Sequence, residues 1–134
     1  MELRDEHTAE LKRIARILNE WATELPIRRV IVFGSRVRGD HRPDSDLDLA
    51  IDFASMPDHG DSLLERWARE EGEMWSGLQR ALGIQPKRLE EDDVPIWKLL
   101  RAATARPVLE VDRVTFVLLP PALSPVRGKD SPVG

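Results

Sequence analysis

The chain lacks cysteine, and this absence narrows its chemistry. Without cysteine it has no disulfide framework, no thiol nucleophile and no cysteine-ligated metal centre. The sequence also lacks an apolar run that approaches the roughly 20 residues needed to span a bilayer. Residues 1–10 are charged and do not form the apolar segment of a signal peptide. We therefore expect a cytoplasmic protein with no membrane segment.

The chain also has no excess of basic over acidic residues. The net charge is −4, so we expect no overall attraction to nucleic acid or to acidic membranes. A nucleic-acid substrate would need a local basic patch, for which the sequence offers Arg28, Arg29, Arg36, Arg38 and Arg42. No metal-ligand spacing relates the three histidines, which are expected at the surface: His7, His41 and His59.

What is present indicates one soluble domain with helices. The 134 residues are 41% hydrophobic and 33% charged, which suits a single modest core. Apolar residues recur at spacings of three and four, as in amphipathic helices, over residues 3–25, 61–82 and 93–105. Pro26 ends the first of these helices and Gly83 ends the second. Asp93 is the predicted N-cap of the third, with Pro95 in its first turn.

Strand patterns lie between the helices. Residues 29–33 are a β-branched and aromatic run, and residues 47–52 alternate between apolar and polar side chains. Residues 84–91 form a third candidate strand that is too polar for a sheet centre, and residues 108–119 predict a hairpin. From residue 120 onward prolines, glycines and charges replace the apolar pattern. We therefore predict a domain over residues 1–119 and a disordered tail over residues 120–134.

Two carboxylates open the second predicted strand. Asp46 and Asp48 are two positions apart, so they project from the same face. Side by side in a half-buried place they would repel each other, and a divalent cation such as Mg²⁺ removes that cost. Mg²⁺ takes one or two protein carboxylates and completes its coordination with water and phosphate oxygens. The pair therefore predicts a site for Mg²⁺ with a phosphate-bearing ligand.

The first strand ends in residues that suit a phosphate. Gly34 lets the backbone approach a phosphate closely, and the N–H groups and hydroxyl at Ser35 can donate to it. Arg36 and Arg38 follow at positions from which they can neutralise a phosphate tail. The two arginines have an equally ordinary alternative as solvent-facing loop residues. Gly34-Ser35 and the two aspartates together predict a metal–triphosphate site.

The combined pattern resembles a known family. VIVFGSRVRG at residues 30–39 and SDLDLAI at residues 45–51 are similar to the minimal nucleotidyltransferases of the DNA polymerase β superfamily. These proteins have a strand, Gly-Ser, a loop with a second glycine, and Ser-Asp-x-Asp on the next strand. The resemblance implies an α/β domain with the polymerase β-like nucleotidyltransferase fold. In that fold we expect a small mixed sheet packed on one side by helices.

The resemblance also implies an activity. Gly34 and Ser35 would hold the triphosphate, while Asp46 and Asp48 would ligate Mg²⁺, with two ions possible. A hydroxyl of the acceptor would attack the α-phosphate of a nucleoside triphosphate, most simply ATP, so that AMP is transferred and pyrophosphate leaves. Family members of this size often act as the antitoxin beside a small helical HEPN-type toxin, which some of them modify with adenylates.

One expected residue is out of place. The family usually has a third carboxylate on the third strand, which here falls at residues 86–89, and none of those is acidic. Glu90 is the nearest candidate, with Glu91 beside it, although the acidic run at residues 90–93 also suits a helix N-terminus. Two alternatives therefore stand beside the enzyme: a degenerate nucleotide-binding module that neutralises a partner by contact, and a transferase that modifies a drug or nucleic acid. The oligomeric state is left open.

Overall fold

Helices and strands alternate along the chain. The computed structural model describes residues 5–23, 25, 27–53, 60–90 and 92–119, with the helical backbone alone for residues 60–70. These residues form α1 (Asp5–Ala22), β1 (Ile27–Phe33), α2 (Ser35–Arg38), β2 (Leu47–Phe53), α3 (Gly60–Leu82), β3 (Pro86–Arg88), α4 (Val94–Ala103), β4 (Leu109–Val111) and β5 (Val114–Phe116). Each helix and strand predicted from the sequence is present, with its ends moved by a few residues.

The five strands form one mixed sheet in the order β3-β2-β1-β5-β4. β1 pairs antiparallel with β2 and parallel with β5, while β3 pairs parallel with β2. β4 and β5 form the predicted antiparallel hairpin. β3 lies at the edge, which explains why its sequence is too polar for a sheet centre. The expected α/β class with a small mixed sheet is therefore confirmed.

One face of the sheet is covered by α1 and α3. β1 and β2 alternate, so every second side chain points to this face. Its core consists of buried side chains from α1, α3 and the sheet, among them Leu11, Ile14, Leu18, Leu78, Leu82, Val30, Val32, Leu47, Leu49 and Ile51. This is the larger of the two cores and fixes the register of the two central strands.

The opposite face is covered by α4. Ile96, Trp97 and Leu100 of this helix are buried, and they belong to a second core with the alternate side chains of β1 and β2, Ile31, Phe33 and Ala50. The expectation that helices pack on one side only is therefore wrong. The reason is visible in the sequence of β1, where residues 30–33 are all buried because the strand is covered on both faces.

The β4–β5 hairpin is tied to α1. The Asn19 side chain donates to the Val111 carbonyl at 3.0 Å and accepts from the Arg113 N–H at 3.0 Å. Asp112 has a φ of 53°, a conformation that aspartate tolerates in tight turns. These contacts bring β5 alongside β1, where Val30 donates to the Arg113 carbonyl at 2.9 Å.

Some sequence predictions fall outside the described residues. The predicted tail over residues 120–134 is among them, so the domain boundary at residue 119 stays a prediction. The predicted turn at residues 56–60 lies largely there as well, and the apolar side chains expected at residues 61–70 are not described. Within the described part of the chain, no helix is long and apolar enough to cross a membrane.

Truncation of Leu100 tests the second core. Leu100 is fully buried between α4 and the sheet, so we expect Leu100→Ala to lower the free energy of unfolding by about 2–5 kcal/mol. Lys98 is exposed on the same helix, and Lys98→Ala should change this free energy by less than about 0.5 kcal/mol. Urea unfolding followed by circular dichroism measures both. Equal stabilities for the two variants would contradict the placement of α4.

Candidate active site

The pairing of β1 with β2 places the two halves of the predicted motif together. Phe33, the last residue of β1, is the Cα partner of Asp48, the second residue of β2. Gly34 follows directly and turns the chain with a φ of 92°, a value that L side chains rarely adopt. α2 then begins at Ser35. The turn and the aspartate are therefore neighbours across the strand pair, although fourteen positions separate Gly34 from Asp48 in the sequence.

The carboxylate of Asp48 lies directly against Gly34. A Cβ placed on Gly34 would collide with the Asp48 carboxylate oxygen Oδ2 and come within 3.1 Å of its Cγ. The space beside Asp48 is therefore open only because residue 34 has no side chain. Glycine here serves both the turn and the approach to the carboxylate.

Asp48 carries a half-buried carboxylate. It forms no hydrogen bond to its carboxylate within the described residues. Burial raises the pKa of Asp48 from an ordinary 3.8 to about 6, the charge of Asp46 adds to the rise, and Lys87 and Arg38 oppose it. Asp46 itself is exposed and directly precedes β2. The charge of Asp46 thus acts on Asp48, which lies on the sheet face that α4 covers.

This donor set fits one divalent cation. A charged group that is desolvated and repelled by a like charge is stabilised when a cation binds. Two carboxylates suffice for Mg²⁺ when water and substrate oxygens complete the coordination. Within the described residues, no three histidine, aspartate or glutamate side chains come together as a metal-binding group. A cation at Asp46 and Asp48 would therefore need ligands from the substrate.

α2 presents backbone donors beside the carboxylates. The first helical hydrogen bonds run from the Val37 and Arg38 N–H groups to the Gly34 carbonyl, each at 3.1 Å. The N–H groups of Ser35 and Arg36 precede these bonds, so the helix itself supplies no acceptor for them. Such N–H groups attract anions. The start of α2 thus lies where the sequence predicted a phosphate, and phosphate binding at Gly34 and Ser35 stays a prediction.

The two candidate arginines differ in what they contact. Arg36 is 8% exposed and donates to the carbonyls of Ser45 at 3.0 Å and Pro43 at 3.1 Å. It therefore holds the loop that leads to Asp46, and a substrate contact by Arg36 stays a prediction. Arg38 donates to Asp40 at 3.2 Å and to the Leu119 carbonyl at 3.3 Å, and its charge reaches Asp48.

The five arginines considered as a basic patch do not form one. Arg28 and Arg29 lie at the start of β1, whereas the other three follow its end. A strand of seven residues separates the two groups by roughly 20 Å. Arg28 is also paired with Asp52 at 3.0 Å. The arrangement gives no continuous surface for a nucleic-acid backbone.

Two histidines lie beside α2 rather than on an open surface. The His7 side chain donates from Nε2 to the Val37 carbonyl at 2.9 Å. His41 has a buried Nδ1 without a hydrogen-bond partner among the described residues, and burial together with the charges of Arg36 and His7 lowers its pKa. Both side chains are partly exposed, so they lie at the surface as expected, although part of each is covered beside α2. The sequence did not predict this partial burial, because α1 passes α2 although the two helices are far apart in the sequence.

A pocket of about 130 Å³ opens beside Asp48. Its lining includes Phe33, Asp48, Lys87, Leu89, Glu90 and Asp93. Glu90, the candidate for the third carboxylate, is exposed here, and its carbonyl accepts from Trp97 Nε1 at 3.0 Å. Glu90 is thus near Asp48 but follows β3 rather than lying on it.

Two pocket residues were not anticipated from the sequence. Lys87 is the Cα partner of Asp48 in the β2–β3 pair, so a cation occupies the strand position where a carboxylate was expected. Asp93 occupies the predicted N-cap position of α4, but its side chain makes no capping hydrogen bond and lines the pocket instead. Neither placement follows from local sequence, because both depend on the register of the short edge strand.

Comparison with known protein families agrees with this geometry. A family model described as "Nucleotidyltransferase domain" matches residues 14–107, which is more than two thirds of the chain. The chain belongs to this family, consistent with a minimal nucleotidyltransferase domain of the DNA polymerase β superfamily. No curated protein and no solved structure matches the chain with significant similarity.

Gly34→Ala tests the contact between the turn and Asp48. The variant combines a strained φ with a collision against the carboxylate, so we expect a loss of about 3 kcal/mol or more in the free energy of unfolding. Gly39 has a φ of 90° but room for a Cβ, 3.7 Å from the His7 ring, so Gly39→Ala should lose only about 1–2 kcal/mol.

The difference between the two glycine variants should shrink in an Asp48→Gly background, where no carboxylate is left to collide. Chemical denaturation of all single and double variants measures this coupling. If the difference between the two glycine variants stays the same, the stability lost in Gly34→Ala comes from backbone strain alone.

Asp48→Asn should stabilise the metal-free protein at neutral pH. Below pH 3.8 the Asp48 carboxyl is protonated in both folded and unfolded chains, so its burial costs little. As the pH rises through about 6 the folded protein must carry a buried charge, and the unfolding free energy falls. In EDTA we therefore expect Asp48→Asn to be about 1–2 kcal/mol more stable than the wild type at pH 7.5.

The advantage of Asp48→Asn should be largely lost at about pH 3.5, below the ordinary pKa of 3.8, because the Asp48 carboxyl is then mostly protonated in both the folded and the unfolded chain. Asp52→Asn on the same strand is the control, since Asp52 is paired with Arg28. Unfolding curves at the two pH values test this expectation. A difference in unfolding free energy that does not change with pH would contradict the raised pKa of Asp48.

Proposed function

We propose that this domain is a Mg²⁺-dependent nucleotidyltransferase that moves AMP from ATP to an acceptor hydroxyl. Membership of the nucleotidyltransferase family supports nucleotidyl transfer in general. The observation that carries the finer proposal is the Asp48 carboxylate, half-buried against Gly34 at the start of α2 with Asp46 beside it. A metal-bound triphosphate is a ligand that would suit both the two carboxylates, of which Asp48 is half-buried, and the backbone N–H groups at the start of α2.

Different residues of the site would contact different parts of the substrate. Asp46 and Asp48 would hold Mg²⁺, which when bound neutralises the phosphate charge and makes the α-phosphorus easier to attack. The Gly34 turn and the Ser35 N–H and hydroxyl receive the phosphate tail. Arg38 is held by Asp40 and the Leu119 carbonyl at a place where its charge also reaches Asp48. Arg36 supports the same site by fixing the loop before Asp46.

The transfer requires a proton acceptor. The acceptor oxygen forms a bond to the α-phosphorus, the bond between the α-phosphorus and the bridging oxygen breaks, and pyrophosphate leaves with that oxygen. The proton of the acceptor hydroxyl must go to a base or to solvent. Glu90 is the exposed carboxylate of the pocket, and its main chain is held by Trp97, so we assign this role to Glu90.

For the acceptor we propose a hydroxyl on a partner protein, the small helical HEPN-type toxin that the family resemblance implies. Modification of that hydroxyl with AMP would add a negative charge and block it. In this arrangement the domain is the antitoxin of a toxin–antitoxin pair. The pocket beside Asp48 is open to solvent at Glu90, which leaves room for a protein hydroxyl to approach.

A second candidate function is a nucleotide-binding module that neutralises its partner by contact. The position of Lys87 favours it, because this lysine faces Asp48 where the third carboxylate was expected. With two carboxylates and the Gly34 turn retained, nucleotide binding would persist while transfer became slow. The two candidates share a binding site and differ only in turnover.

Labelled ATP separates the two candidates. The protein is incubated with Mg²⁺, a small helical HEPN-type protein as the partner, and ATP labelled at the α- or the γ-phosphate. We expect the α-label alone to reach the partner, since nucleotidyl transfer releases the γ-phosphate in pyrophosphate. Asp48→Asn and EDTA should each reduce transfer by about 100-fold or more, because both remove the charge compensation at the phosphate.

Asp52→Asn is the matched control and should transfer at the wild-type rate, since Asp52 lies on β2 beyond the pocket and pairs with Arg28. Neutralisation of the partner by Asp48→Asn without any transfer would favour the contact module. A wild-type protein that neither binds ATP with Mg²⁺ nor transfers label would overturn the proposed function.

A further inference from the structure

The parallel pair of β2 and β3 fixes the position of Lys87. Asp48 and Lys87 are Cα partners, and the pairing continues on both sides through hydrogen bonds from Leu47 to the Gln85 carbonyl at 2.9 Å and from Leu89 to the Leu49 carbonyl at 2.7 Å. Two residues after Lys87, Leu89 is buried in the core under α4. Since side chains alternate along a strand, Lys87 lies on the same sheet face as Asp48.

The neighbouring Arg88 confirms this alternation. Arg88 donates to Glu71 of α3 at 3.3 Å, and α3 covers the other face of the sheet. Lys87, in contrast, is exposed and makes no hydrogen bond or ion pair with the described residues. Its ammonium group is therefore available to a ligand in the pocket that it lines with Asp48.

The charges of the pocket set what that ligand can be. A lysine ammonium binds phosphate as a compact point charge with three donors. Asp46 and Asp48 are sufficient for one Mg²⁺ that also binds phosphate oxygens. The other carboxylates of the pocket, Glu90 and Asp93, lie beyond β3, and the position on β3 in register with Asp48 holds a cation. The ammonium of Lys87 therefore repels a second divalent ion beside Asp48.

We propose that Lys87 binds a phosphate oxygen of the nucleotide and takes the place of a second metal ion, so that the site holds a single divalent cation. This inference rests on the proposed function, because it presumes a nucleotide at Asp46 and Asp48. The ammonium then neutralises phosphate charge from the β3 side while the single ion does so from the carboxylate side. Such a site binds a metal–nucleotide complex with one ion rather than two.

Nucleotide affinity tests the phosphate contact. Calorimetric titration with a non-hydrolysable ATP analogue at saturating Mg²⁺ should show about 10-fold weaker binding for Lys87→Ala, the loss expected for a hydrogen bond to a charged group. Lys87→Arg keeps the charge and should stay within about 3-fold of the wild type. Lys12→Ala is the matched control, since Lys12 is exposed on α1 across the sheet, and should bind like the wild type.

Cation stoichiometry tests the single-ion site. With the same analogue and Mn²⁺, paramagnetic resonance should count one bound ion per wild-type chain and two in Lys87→Asp, whose carboxylate supplies the missing ligand. Lys87 is exposed on an edge strand, so neither Lys87→Asp nor Lys87→Ala should disturb the fold. Two ions in the wild type, or one ion in Lys87→Asp, would overturn the inference.

The two proposals fail in different ways. If the wild type does not bind the analogue with Mg²⁺, or if Asp48→Asn binds it equally well, the proposed function is wrong. If binding depends on Asp48 but Lys87→Ala retains full affinity, the proposed function survives and the assignment of Lys87 is wrong.

Discussion

The contact between the Asp48 carboxylate and Gly34 is the constraint on which the site depends. It exists because β1 and β2 pair so that Phe33 faces Asp48, and because the next residue has no side chain. The contact is unfavourable for the protein alone, since it desolvates a charge and gives it no hydrogen bond from the described residues. The two cores fix both strands and so hold the Gly34 turn and the half-buried carboxylate of Asp48 in place.

The two cores explain why the turn does not relax. α1 and α3 bury the alternate residues of β1 and β2 on one face, while α4 buries the others next to Asp48. Arg36 then fixes the intervening loop through two backbone carbonyls, so the approach to Asp46 is held from the side of α2. Support from the sheet and from the loop leaves the carboxylates free for a cation rather than for structural ion pairs.

Local patterns in the sequence predicted the elements and the Gly34–Asp48 motif, because periodicity and turn chemistry act over a few residues. They did not predict which face α4 covers, since residues 30–33 are equally apolar on both faces. They also missed the burial of Arg36, which looks like a solvent-facing loop arginine until the carbonyls of residues 43 and 45 return to it. The position of Lys87 beside Asp48 needed the register of a three-residue edge strand, and no local pattern encodes that register.

The position of Lys87 also bears on whether the domain turns over its nucleotide. A cation opposite Asp48 lowers the cost of keeping that carboxylate charged, and so favours binding of a metal–phosphate group. The same cation cannot accept a proton from an attacking hydroxyl, so proton transfer is left to Glu90 or to solvent. Glu90 lies after β3 and is exposed to solvent. In the proposed function, binding would rest on residues within the sheet, whereas turnover would depend on a residue outside it. Catalysis would then be the part of the function most easily lost or tuned without a change of fold.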